Sequence, residues 1–210
     1  MSTDARRIRR SGSNALQRVV ETLLWGLGAL LLGWCAFAYV EARLYQARED
    51  RVLDEIPRAA VSAPATAGFG SWPQAVDVDP GLIGRIEIPR LGVRAIVREG
   101  IDSKTLRLAV GHVPGTALPS EEGNVCLAGH RDTFFRKLED VRRNDSIRMK
   151  TPQGVYVYRV EKISIVTPDA LRVLASTTDP TLTLVTCYPF DFVGAAPRRF
   201  IVTARRTESS

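Results

Sequence analysis

A thiol and an imidazole, each at the end of an apolar segment, are the side chains of this sequence best suited to chemistry. Cys187 ends the segment TLTLVTC (181–187), whose β-branched residues predict a strand, and the loop YPFDFVGAAP follows it. His130 ends a second apolar segment, GNVCLAGH (123–130), in the same way. A thiolate can attack a carbonyl carbon while an imidazole gives a proton to the leaving amine. These two residues therefore indicate thiol-dependent acyl transfer, provided that the fold brings them together.

Two adjacent arginines begin the next predicted strand, RRFIVTA (198–204). Acyl transfer passes through a tetrahedral oxyanion, which positive hydrogen-bond donors stabilise. A hairpin between this strand and 181–187 would put one arginine beside Cys187. Because successive side chains of a strand point to opposite faces, only one of Arg198 and Arg199 can reach the thiol. The residue pattern leaves that choice open, and a solvated barrel rim is the alternative interpretation of the pair.

Cys126 and His112 are the other candidates within the same region. Cys126 precedes His130 by four residues, on the same face of a regular strand, and is the rival nucleophile. Free cysteine is usually buried, so its mid-strand position favours an inert core thiol. His112 precedes a Pro-Gly turn in VGHVPGT, where a loop-bracing side chain is a simpler interpretation than a substrate contact.

The cysteine count and spacing exclude some classes of protein. There are three cysteines, and because Cys35 lies in an apolar run, at most one disulfide could form in the rest. A disulfide scaffold is therefore excluded. The sequence has no paired C-x-x-C or H-x-x-x-H spacing, and no clear acidic cluster for calcium. We expect neither a metal nor a cofactor.

The chain from residue 81 to 206 is predicted to be a mainly β catalytic domain. Seven segments have the composition and alternation of strands: 84–89, 93–97, 123–130, 145–151, 154–167, 181–187 and 198–204. Short helices are expected at 103–109, 134–141 and 168–176. Thr167 or Asp169 is the expected cap of the third. Short strands with turns between them favour a closed or nearly closed antiparallel barrel.

The segment from Thr22 to Val40 has the length and composition of a transmembrane helix. Its 19 residues carry no charge and, at about 1.5 Å per residue, span roughly 29 Å. Five arginines and two acids precede it, so the positive-inside rule places the N-terminus in the cytoplasm. Residues 1–21 are then a cytoplasmic basic segment. Everything after residue 41 lies outside the cytoplasmic membrane.

Two alternatives to a membrane anchor are weaker. A cleaved signal peptide would have a shorter apolar region and a small-residue cleavage site, whereas here the charged segment EARLYQAREDRVLDE follows. A buried soluble helix would show a polar face, which the run lacks. Residues 41–80 are expected to extend the helix to about Glu55 and then form an Ala/Pro/Ser/Gly-rich linker. Residues 207–210 are a tail.

The charge distribution argues against a nucleic-acid-binding protein. The formal net charge is +6, but the arginines of the first 18 residues precede the apolar run, and the other basic residues are mixed with acids. A cluster flanking a membrane explains this pattern better than a nucleic-acid patch.

Three separated motifs resemble those of the sortase family, in the order that the family has them. TLVTCYPF resembles the TLxTC signature around the sortase nucleophile, LAGHRDTFF resembles the histidine segment, and RRFIVTA resembles the strand with the family arginine. IEIPRLGV and GHVPGT are similar to the first half of the domain. The resemblance covers about residues 82–206, and CYPFDFVGAAPRRF is most similar to class D sortases.

The resemblance implies an eight-stranded β barrel and a role for each motif residue. Cys187 would be the nucleophile and His130 the general acid and then the general base. Arg199 would stabilise the oxyanion or hold substrate, because the family arginine directly precedes an apolar β run; Arg198 stays possible. Thr186, Arg198 and His112 are candidate substrate contacts.

The resemblance further implies a membrane-anchored transpeptidase outside the cytoplasm. Sortases cleave a C-terminal sorting signal of LPxTG or LPxTA type, form a thioacyl enzyme and pass the acyl group to an amine. The expected partners are secreted proteins with such a signal, an amine acceptor and the membrane.

Two other functions remain open from the residues alone. Another thiol enzyme, such as an L,D-transpeptidase or a cysteine protease, would use the same side chains in a different local context. A non-catalytic, membrane-tethered β domain would retain its function after Cys187→Ala.

Overall fold

The computed structural model describes residues 4–55 and 80–207. The chain divides into two compact units, Met1–Arg43 and Leu44–Ser210. The predicted linker after residue 55 and most of the predicted tail lie outside the described residues.

One long helix, α1 (Asp4–Glu55), begins the described chain. Its stretch Gln17–Arg51 is long and apolar enough to cross a membrane and includes the predicted span 22–40; its most apolar part has a mean hydropathy of 1.9. The large apolar side chains of this stretch are exposed, Trp25 and Leu32 to 75% and 73%. An apolar outer surface on an unburied helix is typical of a segment in contact with lipid.

The second unit is a closed barrel of eight strands, as expected. The strands are β1 (Leu82–Ile88), β2 (Val93–Glu99), β3 (Val110–His112), β4 (Asn124–Ala128), β5 (Ser146–Thr151), β6 (Gly154–Val166), β7 (Thr181–Tyr188) and β8 (Arg198–Arg206). Their order around the barrel is β1-β2-β3-β4-β7-β8-β6-β5, and β5 pairs with β1.

Two pairs of neighbouring strands are parallel, which corrects the expectation of an antiparallel barrel. β2 pairs with β3 and β4 pairs with β7 in parallel, and the other pairs are antiparallel. β3 was not among the predicted strands, because its three residues are too few to show an alternation. The β4–β7 pair matters most for function, since parallel strands end at the same edge of the sheet.

Alternate residues of the strands fill the barrel with an apolar core. Ile86, Val97, Leu127, Ile147 and Leu184 are completely buried members of this core. Such alternation is what the β-branched and apolar positions of the sequence predict.

One of the three expected helices is an α-helix and two are 3-10 turns. The α-helix is α2 (Ser103–Leu108), where the Asp102 side chain caps the N-terminus by accepting hydrogen bonds from the amides of Lys104 and Thr105. The other two are Arg136–Asp140 and Leu171–Leu174. The expected cap of the last is wrong, because Ala170 occupies the N-cap without a side-chain hydrogen bond.

The last residues of α1, from Leu44, belong to the same unit as the barrel and pack on β1 and β2. Leu53 is completely buried in a small cluster with Leu82, Ile96 and Ala109. The Gln46 amide donates to the Leu108 carbonyl (2.7 Å) and accepts from the Ile96 amide (2.8 Å). These contacts make the segment part of the folded domain.

Charged side chains complete this packing. Arg85 of β1 is buried and pairs with Asp50 and Asp54 of α1, both at 3.0 Å, and with Glu87 at 2.8 Å. Lys150 adds a 2.9 Å bond to Asp54. A buried guanidinium without such partners would be strongly destabilising, so α1 and β1 depend on each other here.

Candidate active site

β7 lies between β4 and β8, and its residues alternate between the barrel interior and the outer face. Leu182 and Leu184 belong to the apolar core, so Thr183, Val185 and Cys187 point to the outer face. Cys187 is the second-last residue of the strand and is partly exposed. The thiol therefore lies on the outer face of the barrel, at the end of a rigid strand.

Arg199 is directly opposite Cys187 on the neighbouring strand. The antiparallel β7–β8 register pairs Cys187 with Arg199 and Tyr188 with Arg198. Directly paired residues share a face, with Cα atoms about 4.5–5.5 Å apart. Arg199 is thus on the thiol's face, and Arg198 is exposed on the face of Tyr188. Of the two arginines, the register therefore places Arg199 on the same face as the thiol.

His130 reaches the same place from the other side of β7. The parallel β4–β7 register pairs Ala128 with Val185, and the Gly129 amide donates to the Val185 carbonyl at 3.1 Å. His130 and Cys187 are each two residues beyond that pair, so the two chains reach the same level. His130 is exposed. A thiol, an imidazole and a guanidinium are therefore on three adjacent chain segments at one edge of the sheet.

Thr186 holds the histidine segment rather than facing the solvent. Its side chain is buried, and its hydroxyl donates to the Gly129 carbonyl at 2.7 Å. The expectation that Thr186 contacts substrate does not suit a buried, bonded hydroxyl. Its position instead fixes the backbone one residue before His130.

Gly129 has no space for a side chain. A Cβ atom placed there would lie 2.7 Å from Cδ2 of Phe135, whose ring is completely buried in the core. The Phe135 amide in turn donates to the His130 carbonyl at 3.1 Å. The aromatic ring therefore packs directly against the backbone that carries the imidazole.

Arginine side chains hold the loop between Cys187 and Arg199, which we call the β7–β8 loop (189–197). Arg136 donates to the Phe190 carbonyl at 2.7 Å, and Arg131 donates to the carbonyls of Phe192 and Gly194. Arg199 itself donates to the Ala196 carbonyl at 3.1 Å. Four alternate carbonyls of the loop thus accept hydrogen bonds from arginines. Two of these arginines, Arg131 and Arg136, follow His130 closely in the chain and so connect the loop to the histidine segment.

Sequence reasoning missed Arg131 and Arg136. Arg131 directly follows His130, so its proximity to the site could have been inferred from the chain itself. The hydrogen-bond partners of Arg131 could not have been inferred, because they are backbone carbonyls, which every residue has.

Cys126 is not placed for catalysis. It lies in mid-β4 with no exposed surface, and burial raises the pKa of its thiol to about 12. The reactive form of cysteine is the thiolate. The expectation of an inert thiol therefore agrees with its environment.

His112 braces a loop, as its sequence context suggested. It is 2% exposed, and its Nδ1 lies 2.7 Å from a carboxylate oxygen of Glu99. Its Nε2 lies 3.0 Å from the Ala117 carbonyl and 3.1 Å from the Thr116 hydroxyl. Both ring nitrogens have partners within the protein, which does not suit the expected contact with substrate.

Comparisons with known proteins place this arrangement in a family. A family model for the sortase domain matches residues 86–207. Sortase D from Bacillus subtilis (strain 168) is 29% identical over 199 residues, which cover 91% of this chain and 99% of that protein.

Solved structures give the same result. A sortase D5 transpeptidase from Clostridium perfringens has a TM-score of 0.57 at 29% identity, covering 62% of this chain and 82% of that one. Sortase C-1 from Actinomyces oris has a TM-score of 0.57 at 31% identity, covering 63% and 77%.

The fold and these matches define a cysteine transpeptidase built on a closed β barrel. The chain belongs to the sortase family, whose members act on proteins that carry a sorting signal. The match to sortase D over nearly the whole chain agrees with the resemblance to class D.

Proposed function

We propose that this protein is a membrane-anchored sortase with Cys187 as nucleophile, His130 as acid and base, and Arg199 as oxyanion stabiliser. The observation that carries the proposal is the strand register. It pairs Cys187 with Arg199 and brings the chain before His130 onto β7 at Val185. Three motifs far apart in sequence thus meet at one edge of the barrel.

In the first half of the reaction, the Cys187 thiol passes its proton to His130, and its sulfur attacks the carbonyl carbon of the scissile peptide bond. Arg199 donates to the oxyanion that forms. His130 then gives its proton to the leaving nitrogen, the C–N bond breaks, and the acyl group remains on sulfur as a thioester.

In the second half, an amine attacks the thioester carbon while His130 takes a proton from the amine. The C–S bond breaks, a new C–N bond forms, and His130 returns the proton to the sulfur, which restores the thiol. Since the same imidazole is first acid and then base, it must reach both the leaving and the entering nitrogen. Its exposed position beyond β4 suits both steps.

The proposed substrates are secreted proteins with a C-terminal signal of LPxTG or LPxTA type, cleaved after the threonine, with an amine as acceptor. This proposal depends on membership of the family, which acts on such signals, and on the partly exposed thiol. The uncharged run 22–40, within the long apolar helix, would anchor the enzyme by a single pass. The arginines before it favour an N-terminus in the cytoplasm and a barrel outside.

Mass spectrometry of the full-length protein in detergent tests the reaction. The protein is incubated with LPxTG- and LPxTA-type peptides, with and without a glycine acceptor, and then digested. We expect a thioacyl adduct on the peptide containing Cys187, which the acceptor removes. Cys126→Ala is the matched control and should form the adduct normally. An adduct on Cys126, or none on Cys187, would refute the assignment.

A further inference from the structure

Asn124, a buried side chain at the start of β4, uses both ends of its amide. It is 4% exposed, and its nitrogen donates to the carbonyls of Val173 (3.0 Å) and Ala175 (3.1 Å). Its oxygen accepts from the Thr183 hydroxyl at 2.8 Å. The hydroxyl donor fixes which end of the amide faces the carbonyls. The side chain thereby connects β4, β7 and the Leu171–Leu174 turn.

These bonds hold the Leu171–Leu174 turn on the outer face, the same face as Cys187. Val125 and Leu127 belong to the barrel core, so Asn124 points outward, as Thr183 does from β7. The carbonyls of the turn meet the Asn124 amide on that side.

The turn and the reactive groups are at opposite ends of two parallel strands. β4 and β7 both start beside the turn and both run toward the edge with His130 and Cys187. From Thr183 to Cys187 is four residues, or about 13 Å of strand. The same length accommodates about four extended residues of a bound peptide.

Small and apolar side chains form the surface between these ends. Ala128 and Val185, which pair with each other, are partly exposed there. An extended peptide that places its scissile bond at Cys187 would lie over this pair, with its far end at the Leu171–Leu174 turn.

The turn has little internal support of its own. Its N-cap residue, Ala170, makes no side-chain hydrogen bond. Its hydrogen bonds from Val173 to Ala170 and from Ala175 to Arg172 are both 3.3 Å long. A 3-10 turn of this length has poor hydrogen-bond geometry. The two bonds from Asn124 are therefore a large part of what fixes its position.

We propose that Asn124 is a positioning residue for substrate binding, which holds the Leu171–Leu174 turn as the far wall of the peptide site. This inference rests on the proposed function above. It deepens that function by assigning the affinity for the peptide to a residue remote from the thiol. The reactivity of Cys187 does not depend on Asn124.

The test compares Asn124→Asp, Asn124→Ala and Thr183→Val in the full-length protein in detergent. Asn124→Asp still accepts from Thr183 but puts a carboxylate oxygen against the two carbonyls of the turn. Asn124→Ala removes the amide without adding charge, which covers a failure of the aspartate variant to fold. Thr183→Val is the matched control, since it removes the bond to the amide oxygen and leaves both donors to the turn.

Three readouts separate a positioning role from a merely structural one. These are KM and kcat for a quenched-fluorescence LPxTA peptide, the rate of Cys187 alkylation by iodoacetamide, and hydrogen exchange of the amides of 171–175. For both Asn124 variants we expect KM to rise roughly tenfold, since two hydrogen bonds are lost. We also expect faster exchange in 171–175, kcat within about twofold and unchanged alkylation. Thr183→Val should change KM much less.

Two results would overturn the inference, and they differ from failure of the proposed function. If the wild-type enzyme cleaves the peptide and the Asn124 variants keep its KM, the inference alone fails. It also fails if kcat and alkylation fall while KM holds, because Asn124 would then act on the thiol. A wild-type enzyme that forms no thioacyl adduct would refute the proposed function and this inference with it.

Discussion

Cys187 and Cys126 are on the outer face of neighbouring strands, yet their surroundings differ in the property that matters for a nucleophile. Cys126 is in the middle of β4 and completely buried, and its pKa is raised to about 12. Cys187 is near the end of β7, and its thiol is partly exposed. Since both residues are cysteines, their positions along their strands account for the difference.

Alkylation should therefore distinguish the two thiols in the native protein. We expect iodoacetamide at pH 7 to 9 to modify Cys187 and to leave Cys126 unmodified, because a pKa of about 12 leaves less than about 1% thiolate there and burial denies access. Peptide mass spectrometry measures the modification. In concentrated urea both thiols should react. Native modification of Cys126 would contradict the buried environment.

Gly129 is the backbone position on which the imidazole most depends. Gly129→Ala would place a methyl group 2.7 Å from the Phe135 ring, so that ring or backbone must shift. Because the next residue is His130, the proposed acid and base, we expect kcat to fall at least about tenfold, since a displacement of about 1 Å of a group in that role costs more than that.

A second substitution distinguishes this steric cause from other effects of the methyl group. Phe135→Leu removes the ring edge, so the double variant Gly129→Ala/Phe135→Leu should recover part of the lost kcat. Steady-state kinetics of the two single variants and the double variant complete the cycle. Strictly additive losses would show that the ring is not the cause.

At the scale of elements, the β7–β8 loop is ordered by side chains from outside itself. Carbonyls 190, 192, 194 and 196 accept from Arg136, Arg131 and Arg199. The loop also leaves Phe192 and Val193 exposed, the latter to 94%. The arginines therefore fix the backbone of a loop whose apolar tip stays exposed.

Loss of the Arg131 side chain should impair activity more than stability. We expect Arg131→Gln to lower kcat/KM about tenfold, because two loop carbonyls lose a charged donor. Peptide cleavage and thermal unfolding are measured together. Arg143→Gln, at an exposed arginine, is the control and should change neither. A fall in melting temperature with unchanged kcat/KM would contradict this role.

The contact of α1 with the barrel should weaken in acid. The hydrogen bond from Lys150, with Arg85 also contributing, lowers the pKa of Asp54 from 3.8 to about 2. A carboxylate with a depressed pKa stabilises the fold above its unfolded pKa, and that contribution is lost as the pH falls from about 4 to about 2.

Asp54→Asn isolates this contribution. We expect the variant to be less stable than the wild type at pH 7, with a difference that shrinks as the pH falls below 4. Urea unfolding at a series of pH values measures it. Arg148→Gln, a neutral substitution at an exposed position of β5, should show no such convergence. A difference that is constant with pH would contradict the ion pair.

Local pattern was enough to predict most strands and the helix α2, although not its Asp102 cap. Strands such as β6 and β7 are long and rich in β-branched residues, so their alternation shows in the sequence. β3 has three residues and is a strand only because β2 and β4 flank it. The two 3-10 turns had helical composition, but they are too short for an α-helix to form.

At the scale of the whole molecule, the candidate site depends on a pairing that no local pattern contains. Cys187 and Arg199 could be placed together from a hairpin, but His130 requires β4 to pair in parallel with a strand more than 50 residues away. The sequence supplied that contact only through the resemblance to a family. Arg131 and Asn124 were missed for a related reason, since both bind backbone carbonyls of distant loops.

The orientation of the molecule can be tested with its own thiol. If the N-terminus is cytoplasmic, a membrane-impermeant maleimide added to intact spheroplasts should label Cys187 without permeabilisation. An epitope at the N-terminus should be reached only after permeabilisation. Cys187→Ala is the control for the label. Labelling that requires permeabilised membranes would place the barrel in the cytoplasm.

A barrel whose strands all pair around the ring has no open edge for a guest strand to join. The cargo polypeptide therefore cannot be captured by extending the sheet, and its recognition falls to side chains and connecting loops. Loops tolerate changes of length and composition that strands do not. This architecture thus allows the choice of cargo to diverge while the register that unites sulfur, imidazole and guanidinium is kept.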